Sequence, residues 1–401
     1  MTVWDQLIGQ QPAVTTLRNA AQAAADIVAG RPAPTGAMTH SWLFTGPPGS
    51  GRSIAAQAFA AALQCERPDQ LGCGECSACH TVSTRTHPDV HSVVPEGLSI
   101  GVTEMRAVVA RSARRPQLGR WQVVVIEDAD RLTEQASNAL LKSVEEPPAR
   151  TVFLLCAPSL HPDDVSLTIR SRCRLVPLRL PPAEAVASVL AADGMAADTA
   201  AWAAAAGQGH IGRSRRLARD ADARDRRAAV LAIPASLVSL QACLEAADHL
   251  VGAAEAEAAA LTVELDASET ESLQVALGAG GTGKGVAASV RGAAGALKEL
   301  EKRQRSRATR AQRDALDRAL VDLAAFYRDV LLQQSGAGLA PAHPDFADDV
   351  ATVASRITPA GALRRLDAVL DCREALLEFN VKPRIAVEAM TATLRIPSAA
   401  R

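Results

Sequence analysis

The run Gly46-Pro47-Pro48-Gly49-Ser50-Gly51-Arg52-Ser53 has the frame of a phosphate-binding loop with one substitution. In a G-x-x-x-x-G-K-[ST] loop, glycines let backbone N–H groups wrap phosphates, the lysine reaches the outer phosphates and the hydroxyl residue ligates magnesium. Gly46, Gly49, Gly51 and Ser53 keep that frame, and Arg52 stands where the lysine belongs. Arginine keeps the charge, but its wide planar head does not replace a compact ammonium inside a tight phosphate nest. The substitution leaves open whether the loop holds ATP and magnesium, and it speaks against hydrolysis.

A P-loop ATPase also needs a hydrophobic strand ending in acids, one to support magnesium and one to polarise the attacking water. Val123-Val124-Val125-Ile126-Glu127-Asp128 has that shape, with the acids in the order Glu then Asp, the reverse of the ATPase pattern. The inversion moves each carboxylate by roughly 1.5 Å, about one methylene, which is enough to spoil in-line geometry. Alone, the pair reads equally well as a solvated strand end. Downstream of the glycine loop it is specific for the fold and not for activity.

Cys65, Cys73, Cys76 and Cys79 are separated by seven, two and two residues, with Gly72 and Gly74 between them. Four thiolates on a tight turn give a closed tetrahedral site with no room for a reactive water, which predicts structural zinc. An iron–sulfur cluster is the competing reading, since C-x2-C-x2-C also begins such motifs, although the cysteine-proline that follows in them is missing. Cys156, Cys173, Cys243 and Cys372 are isolated, a distribution that suits a metal site better than a disulfide framework.

Arg172, in Ser171-Arg172-Cys173, stands near the end of the expected sheet, where an arginine can reach across a subunit boundary to a neighbour's nucleotide. A surface salt bridge is the alternative, and Arg170 and Arg174 are rival candidates. Lys302, Arg303, Arg305, Arg307, Arg310 and Arg313 form a basic run interspersed with Glu299, Glu301 and Asp314. It reads as a solvated helix face, a DNA-facing stripe being the sharper alternative. Gly278 to Lys284 imitates a second phosphate loop, but Gly285 replaces the hydroxyl residue and no acidic strand follows, so a flexible loop is expected.

These residues need elements to hold them. The 401 residues are 48% hydrophobic, enough for two or three domains, and the 3% aromatic content leaves packing to alanine and leucine, which favour helices. Short strands are expected at 41–45, 90–94, 123–126 and 151–155, with helices at 54–63, about 103–115 and 133–144. Strands alternating with helices imply a parallel sheet covered on both faces. After Pro181-Pro182 the pattern turns helical to about Ala232. A further helical region follows from Ala235, with one long helix over Ala294 to Gln333, a last helix at 383–394 and a frayed end at Ser398 to Arg401. A net charge of −1 marks no global nucleic-acid binder. No segment has the length of a membrane span, and a soluble cytoplasmic protein is expected.

The order of these elements resembles the AAA+ clamp-loader family. The resemblance is carried by the degenerate glycine loop, the four cysteines after it, Asn138-Ala139-Leu140-Leu141-Lys142-Ser143-Val144-Glu145-Glu146-Pro147-Pro148, Thr168-Ile169-Arg170-Ser171-Arg172-Cys173, and Asn380-Val381-Lys382-Pro383-Arg384 near the end. It implies a RecA-like AAA+ domain over 1–178 with a zinc-binding insert at 65–79, a small helical lid over 179–232 and a helical collar for oligomerisation over 235–396. It further implies a five-subunit spiral that uses ATP to open a ring-shaped sliding clamp and place it on primer-template DNA. Motor subunits, a delta subunit, the clamp and the DNA become partners, and the cytoplasmic, nucleoid-associated replisome becomes the location.

Within that family the chain is similar to the non-hydrolysing stator rather than the motor. Arg52 replaces the lysine, Glu127-Asp128 is inverted, and Cys156-Ala157-Pro158 lacks the polar residue that motors place near the phosphate. Gly209-His210-Ile211-Gly212 also departs from the motor's Gly-x-x-Arg, with Arg213 and Arg215 nearby. The resemblance gives Arg172 the role of an arginine acting in trans. An ATP-hydrolysing motor subunit and a AAA+ remodeller outside replication are the alternatives.

Overall fold

In a computed structural model of the chain, residues 1–277 and 286–396 are described. The stretch from Gly278 to Gly285 and the end from Ser398 to Arg401 lie outside them. The chain divides into two compact units, Met1–Ala218 and Arg219–Arg401.

The first unit is built on β1 (Ser41–Thr45), β2 (Val90–Val93), β3 (Gln122–Ile126), β4 (Thr151–Ala157) and β5 (Arg174–Pro177). They form one parallel sheet in the order β2-β3-β4-β1-β5. Every residue of β1, β3 and β4 is buried, because successive side chains enter opposite cores. Trp42, Phe44, Val123, Val125, Val152 and Leu154 join one core, and Leu43, Val124, Ile126, Phe153 and Leu155 join the other.

Helices α1 (Gln11–Val28), α2 (Arg52–Gln64) and α3 (Ser77–Ser83) come first in the chain, followed by α4 (Val102–Ser112), α5 (Glu134–Glu145) and α6 (Leu167–Arg170). The alanines of α2 let it lie close to the sheet, where Phe59 meets Trp42 edge-on at 5.0 Å. Residues of α1 and α2 supply the first core, and residues of α4 and α5 the second. The unit closes with α7 (Ala183–Ala192), α8 (Ala197–Ala206) and α9 (Ile211–Arg219). The parallel five-stranded sheet with its helices, followed by a helical C-terminal part, is the architecture expected from the motifs.

The second unit is helical among its described residues. It comprises α10 (Ala221–Ser236), α11 (Leu240–Ala276), α12 (Val286–Ser335), α13 (Ala347–Arg356), α14 (Pro359–Leu377) and α15 (Pro383–Leu394). Leu316, Leu320, Leu323 and Phe326 on α12 pack with Val369 of α14 and Val387 of α15. Arg227 of α10 is buried and chelates Asp345 at 2.6 and 3.0 Å. Its Nη2 also meets His343 Nδ1 at 2.9 Å.

Candidate nucleotide and metal sites

The glycine loop leaves the C-terminal end of β1 and turns into α2. Gly49 and Gly51 have φ of +91° and +88°, a region that costs a side-chain-bearing residue dearly. A Cβ on Gly49 would also lie 2.8 Å from that of His210, so this histidine sits directly on the loop. Ser53 falls in the first turn of α2. Arg52 turns back, its Nη1 donating to the Gly46 carbonyl at 2.9 Å. The Ser50 carbonyl accepts from Gln10 Nε2 at 3.3 Å, and the same amide reaches the Arg179 carbonyl at 2.5 Å, tying the loop to the segment after β5. Ser50 Oγ is buried without a hydrogen-bond partner, an orphaned polar atom inside the loop.

Glu127 and Asp128 leave the end of β3, on the same side of the sheet as the loop. Glu127 is engaged: its Oε1 accepts from Arg85 Nη2 at 2.9 Å, and its carboxylate is only 13% exposed. Arg85 follows α3 with φ of +58°, and with the Gln57 amide of α2 turned so that its oxygen faces the guanidinium, Nε and Nη2 meet that oxygen at 3.1 and 3.0 Å. One guanidinium therefore joins the strand-end acid, the helix of the glycine loop and the segment that leaves the cysteine cluster. Asp128 sits at φ +52° with Arg131 at 4.0 Å.

Asp130, which the motif reading passed over, also belongs to this group. Burial pushes its carboxyl up, the charge of Asp128 adds to that, and Arg131 and Arg52 offset part of it. Cys156 is the last residue but one in the buried run of β4, and burial followed by the charge of Glu127 holds its thiol protonated.

The four cysteines converge, all their sulfurs lying within 4.8 Å of one another. Cys65 Sγ is 3.7 Å from that of Cys73 and 3.9 Å from that of Cys76. A tetrahedron with metal–sulfur bonds of about 2.3 Å has edges of about 3.8 Å, so the group fits a zinc-sized ion. Gly72 and Gly74, both at φ +79°, make the turn. The Glu75 and Cys76 amides donate to Cys73 Sγ at 3.5 and 3.4 Å, and the Cys79 amide donates to Cys76 Sγ at 3.4 Å. Burial raises the Cys65 and Cys79 thiols. Burial opposes ionisation of Cys73 too, yet its amide donors win and bring it down to about 7. Donors aimed at sulfur are what a metal-bound thiolate needs around it. Val3 N and Trp4 Nε1 bond the carbonyls of Gly72 and Leu71 at 3.0 and 2.9 Å, fixing the turn from the N-terminal side.

The three arginines around Ser171 differ in what they touch. Arg170 Nη1 donates to the Leu160 carbonyl at 3.1 Å. Arg174 donates to the Gly36 and Ala37 carbonyls at 3.0 and 3.1 Å and lies over the Trp42 ring at 5.0 Å. Both hold loops of their own unit. Arg172 bonds the Thr168 carbonyl at 2.9 Å and pairs with Glu145 at 2.6 Å, its side chain 38% and that of Glu145 41% exposed.

The basic run on α12 turns toward acids of α11 and of its own helix. Arg307 pairs with Asp266 at 2.8 Å and Glu269 at 2.9 Å, and hydrogen bonding to Arg307 depresses the Glu269 carboxyl. Arg305 pairs with Glu301 at 3.0 Å and Arg310 with Asp314 at 3.5 Å, while Arg313 is buried against Leu376 and Asn380. A ladder between helices uses charges that a DNA-facing stripe would leave outward. No helix among the described residues is long and apolar enough to cross a membrane.

Residues 28–182 match the protein family described as "DNA polymerase III, delta subunit". DNA polymerase III subunit delta' of Pseudomonas aeruginosa is 42% identical over 137 residues, 33% of this chain and 41% of that protein. The Escherichia coli subunit delta' is 38% identical over 146 residues, 36% and 43% of the two chains. DNA polymerase III subunit tau of Bacillus subtilis is 32% identical over 172 residues, 43% of this chain and 28% of that one. The chain thus spans less than half the length of these curated relatives. Among solved structures, a DNA polymerase III gamma subunit-related protein from Thermotoga maritima is similar with a TM-score of 0.37 and 14% identity, over 94% of this chain and 98% of that one.

Proposed function

From an N-terminal stretch related to the delta-prime subunits of bacterial DNA polymerase III, we propose that this chain is a stator of the replicative clamp loader. It holds motor subunits in register and presents Arg172 to the triphosphate of one of them, while the assembly opens the sliding clamp and places it on primer-template DNA. In this reading the lid of 179–232 begins with α7 to α9, the helices of 235–396 form the collar, and the complex works at the replisome in the cytoplasm. Zinc, when bound, supplies a closed tetrahedral cross-link; Cys65, Cys73, Cys76 and Cys79 would hold it.

The observation that carries the proposal is how the guanidinium groups are used. Arg52 and Arg85 are turned onto the chain's own loop carbonyl and strand-end acid. Arg172 stands half-exposed with Glu145, a solvent-screened pair worth about 1 kcal/mol or less. A neighbour's phosphate displaces such a partner at little cost. The retained glycines and Ser53 favour a second, lesser reading, residual nucleotide binding without turnover.

The test is Arg172→Ala in a reconstituted complex. Assembly is expected to persist while ATP turnover at the site that receives Arg172 falls by ~10³-fold, the scale of an arginine supplied in trans, and total turnover falls by that site's share. Unchanged turnover in an intact complex removes the catalytic role.

A further inference from the structure

The N-terminal end of the sheet, opposite the glycine loop, carries a cavity of about 170 Å³. It is lined by Asp89, just before β2, by Gln122 at the start of β3, and by Arg111, Arg114, Arg115 and Gln117 at the end of α4 and in the loop beyond. Residues 106–120 contain Arg106, Arg111, Arg114, Arg115 and Arg120 and no acid. Arg111 Nη1 meets His91 Nδ1 at 3.2 Å. Among the described residues no ion pair engages Arg106, Arg114, Arg115 or Arg120. This contrasts with α12, whose arginines are largely matched to acids.

The carboxylate in the wall does not serve these cations. Asp89 accepts the backbone N–H groups of Gln117 at 2.7 Å and Leu118 at 2.8 Å, and that of Gly119 as well. Its role is to fold the arginine-bearing loop around the cavity. Besides that carboxylate, the lining offers the three guanidinium groups, the amides of Gln117 and Gln122, and Pro88 as the apolar contribution. Guanidinium forks match phosphoryl oxygens, which are acceptors only; carboxylates are acceptors too, and competition by polyglutamate separates the two.

We propose that this cavity is a phosphoryl-binding site, distinct from the glycine loop, taking a phosphate of a DNA strand or free pyrophosphate. The inference is independent of the stator reading, since it uses neither Arg172 nor the glycine loop.

Binding of a fluorescent single strand to the full-length chain, followed against salt, tests it together with calorimetric titration of pyrophosphate. Arg114→Glu with Arg115→Glu, both at exposed positions, should leave the thermal midpoint unchanged. The double substitution should weaken strand binding about tenfold or more and reduce the log K against log salt slope by about 1.4, near 0.7 per phosphate contact. Strand binding lost in the variant assigns the phosphate to DNA, and pyrophosphate binding lost there assigns it to the free anion. Several results overturn the proposal: wild-type protein binding neither probe, a variant binding like wild type, a slope lost equally in Lys302→Glu with Arg303→Glu, pyrophosphate binding that vanishes in Ser53→Ala instead, or displacement by polyglutamate as effective as by pyrophosphate.

Discussion

The glycine loop and the Ser171-Arg172-Cys173 edge use the same side-chain chemistry in opposite directions. At the loop, Arg52 caps the Gly46 carbonyl and Arg85 holds Glu127 against Gln57, so positive charge is consumed within the unit. At the edge, Arg170 and Arg174 brace backbone carbonyls, while Arg172 shares its guanidinium between the Thr168 carbonyl and the exposed Glu145. A guanidinium whose partners are carbonyls or a shielded acid of its own chain is a structural part. One held in place beside a weakly bound, exposed acid is available to another molecule.

The largest expected effect breaks this contrast from the outside. Arg172→Ala should cost ~10³-fold in turnover at the motor site it serves, whereas Arg170→Ala and Arg174→Ala should act through stability; the three variants compared for melting temperature and turnover separate the roles.

The next effect tests what positions Arg85. Cys73→Ser with Cys76→Ser, or metal removal by a chelator, should lower the unfolding free energy by about 3 kcal/mol or more. That is less than the ~10 kcal/mol and above of isolated zinc fingers, because α2 and the sheet have their own core. Metal analysis of protein purified without chelator should return one zinc per chain, and iron in its place would contradict the assignment.

The pH dependence of the second unit provides an internal contrast to these sites. Burial lowers the pKa of His343, with Asp322 opposing and Arg227 reinforcing the shift. Below the unfolded value of about 6.5, the unfolded chain binds a proton that the native imidazole refuses. The contribution is therefore fully present above that pH and is lost as pH falls toward the depressed native value. Urea midpoints should drop between pH 7.5 and 5.5, and His343→Gln should flatten the profile.

The smallest effect sharpens the loop side. Arg85→Ala leaves Glu127 half-buried and unpaired, at a cost of about 1 kcal/mol after discounting for the exposure of Arg85. The same substitution should increase magnesium-dependent nucleotide binding, read by a fluorescent ATP analogue; unchanged binding shows that Arg85 does not close the site.

Much of the frame is legible in the chain itself. The apolar runs of β1, β3 and β4 are unbroken because both faces of each strand are buried, and Pro383 marks the start of α15. Strand β5 escaped because it is a short edge strand, partly exposed and ending at Pro177. Gly46 to Ser53, Glu127 and the four cysteines are visible as spacing. The engagement of Glu127 by Arg85 is not, since it depends on where the cysteine module delivers a residue far away in sequence. The same holds for α12: its arginines read as a solvated or DNA-facing stripe until Asp266 and Glu269 of α11 are placed beside them.

The central claim is that the loop kept its shape and lost the cation arrangement that runs the reaction. ATP turnover by the isolated full-length chain, with and without DNA, tests this most directly. The isolated chain should show no hydrolysis above background and no change on Ser53→Ala. Sustained turnover that disappears with Ser53→Ala would show a working motor and contradict it.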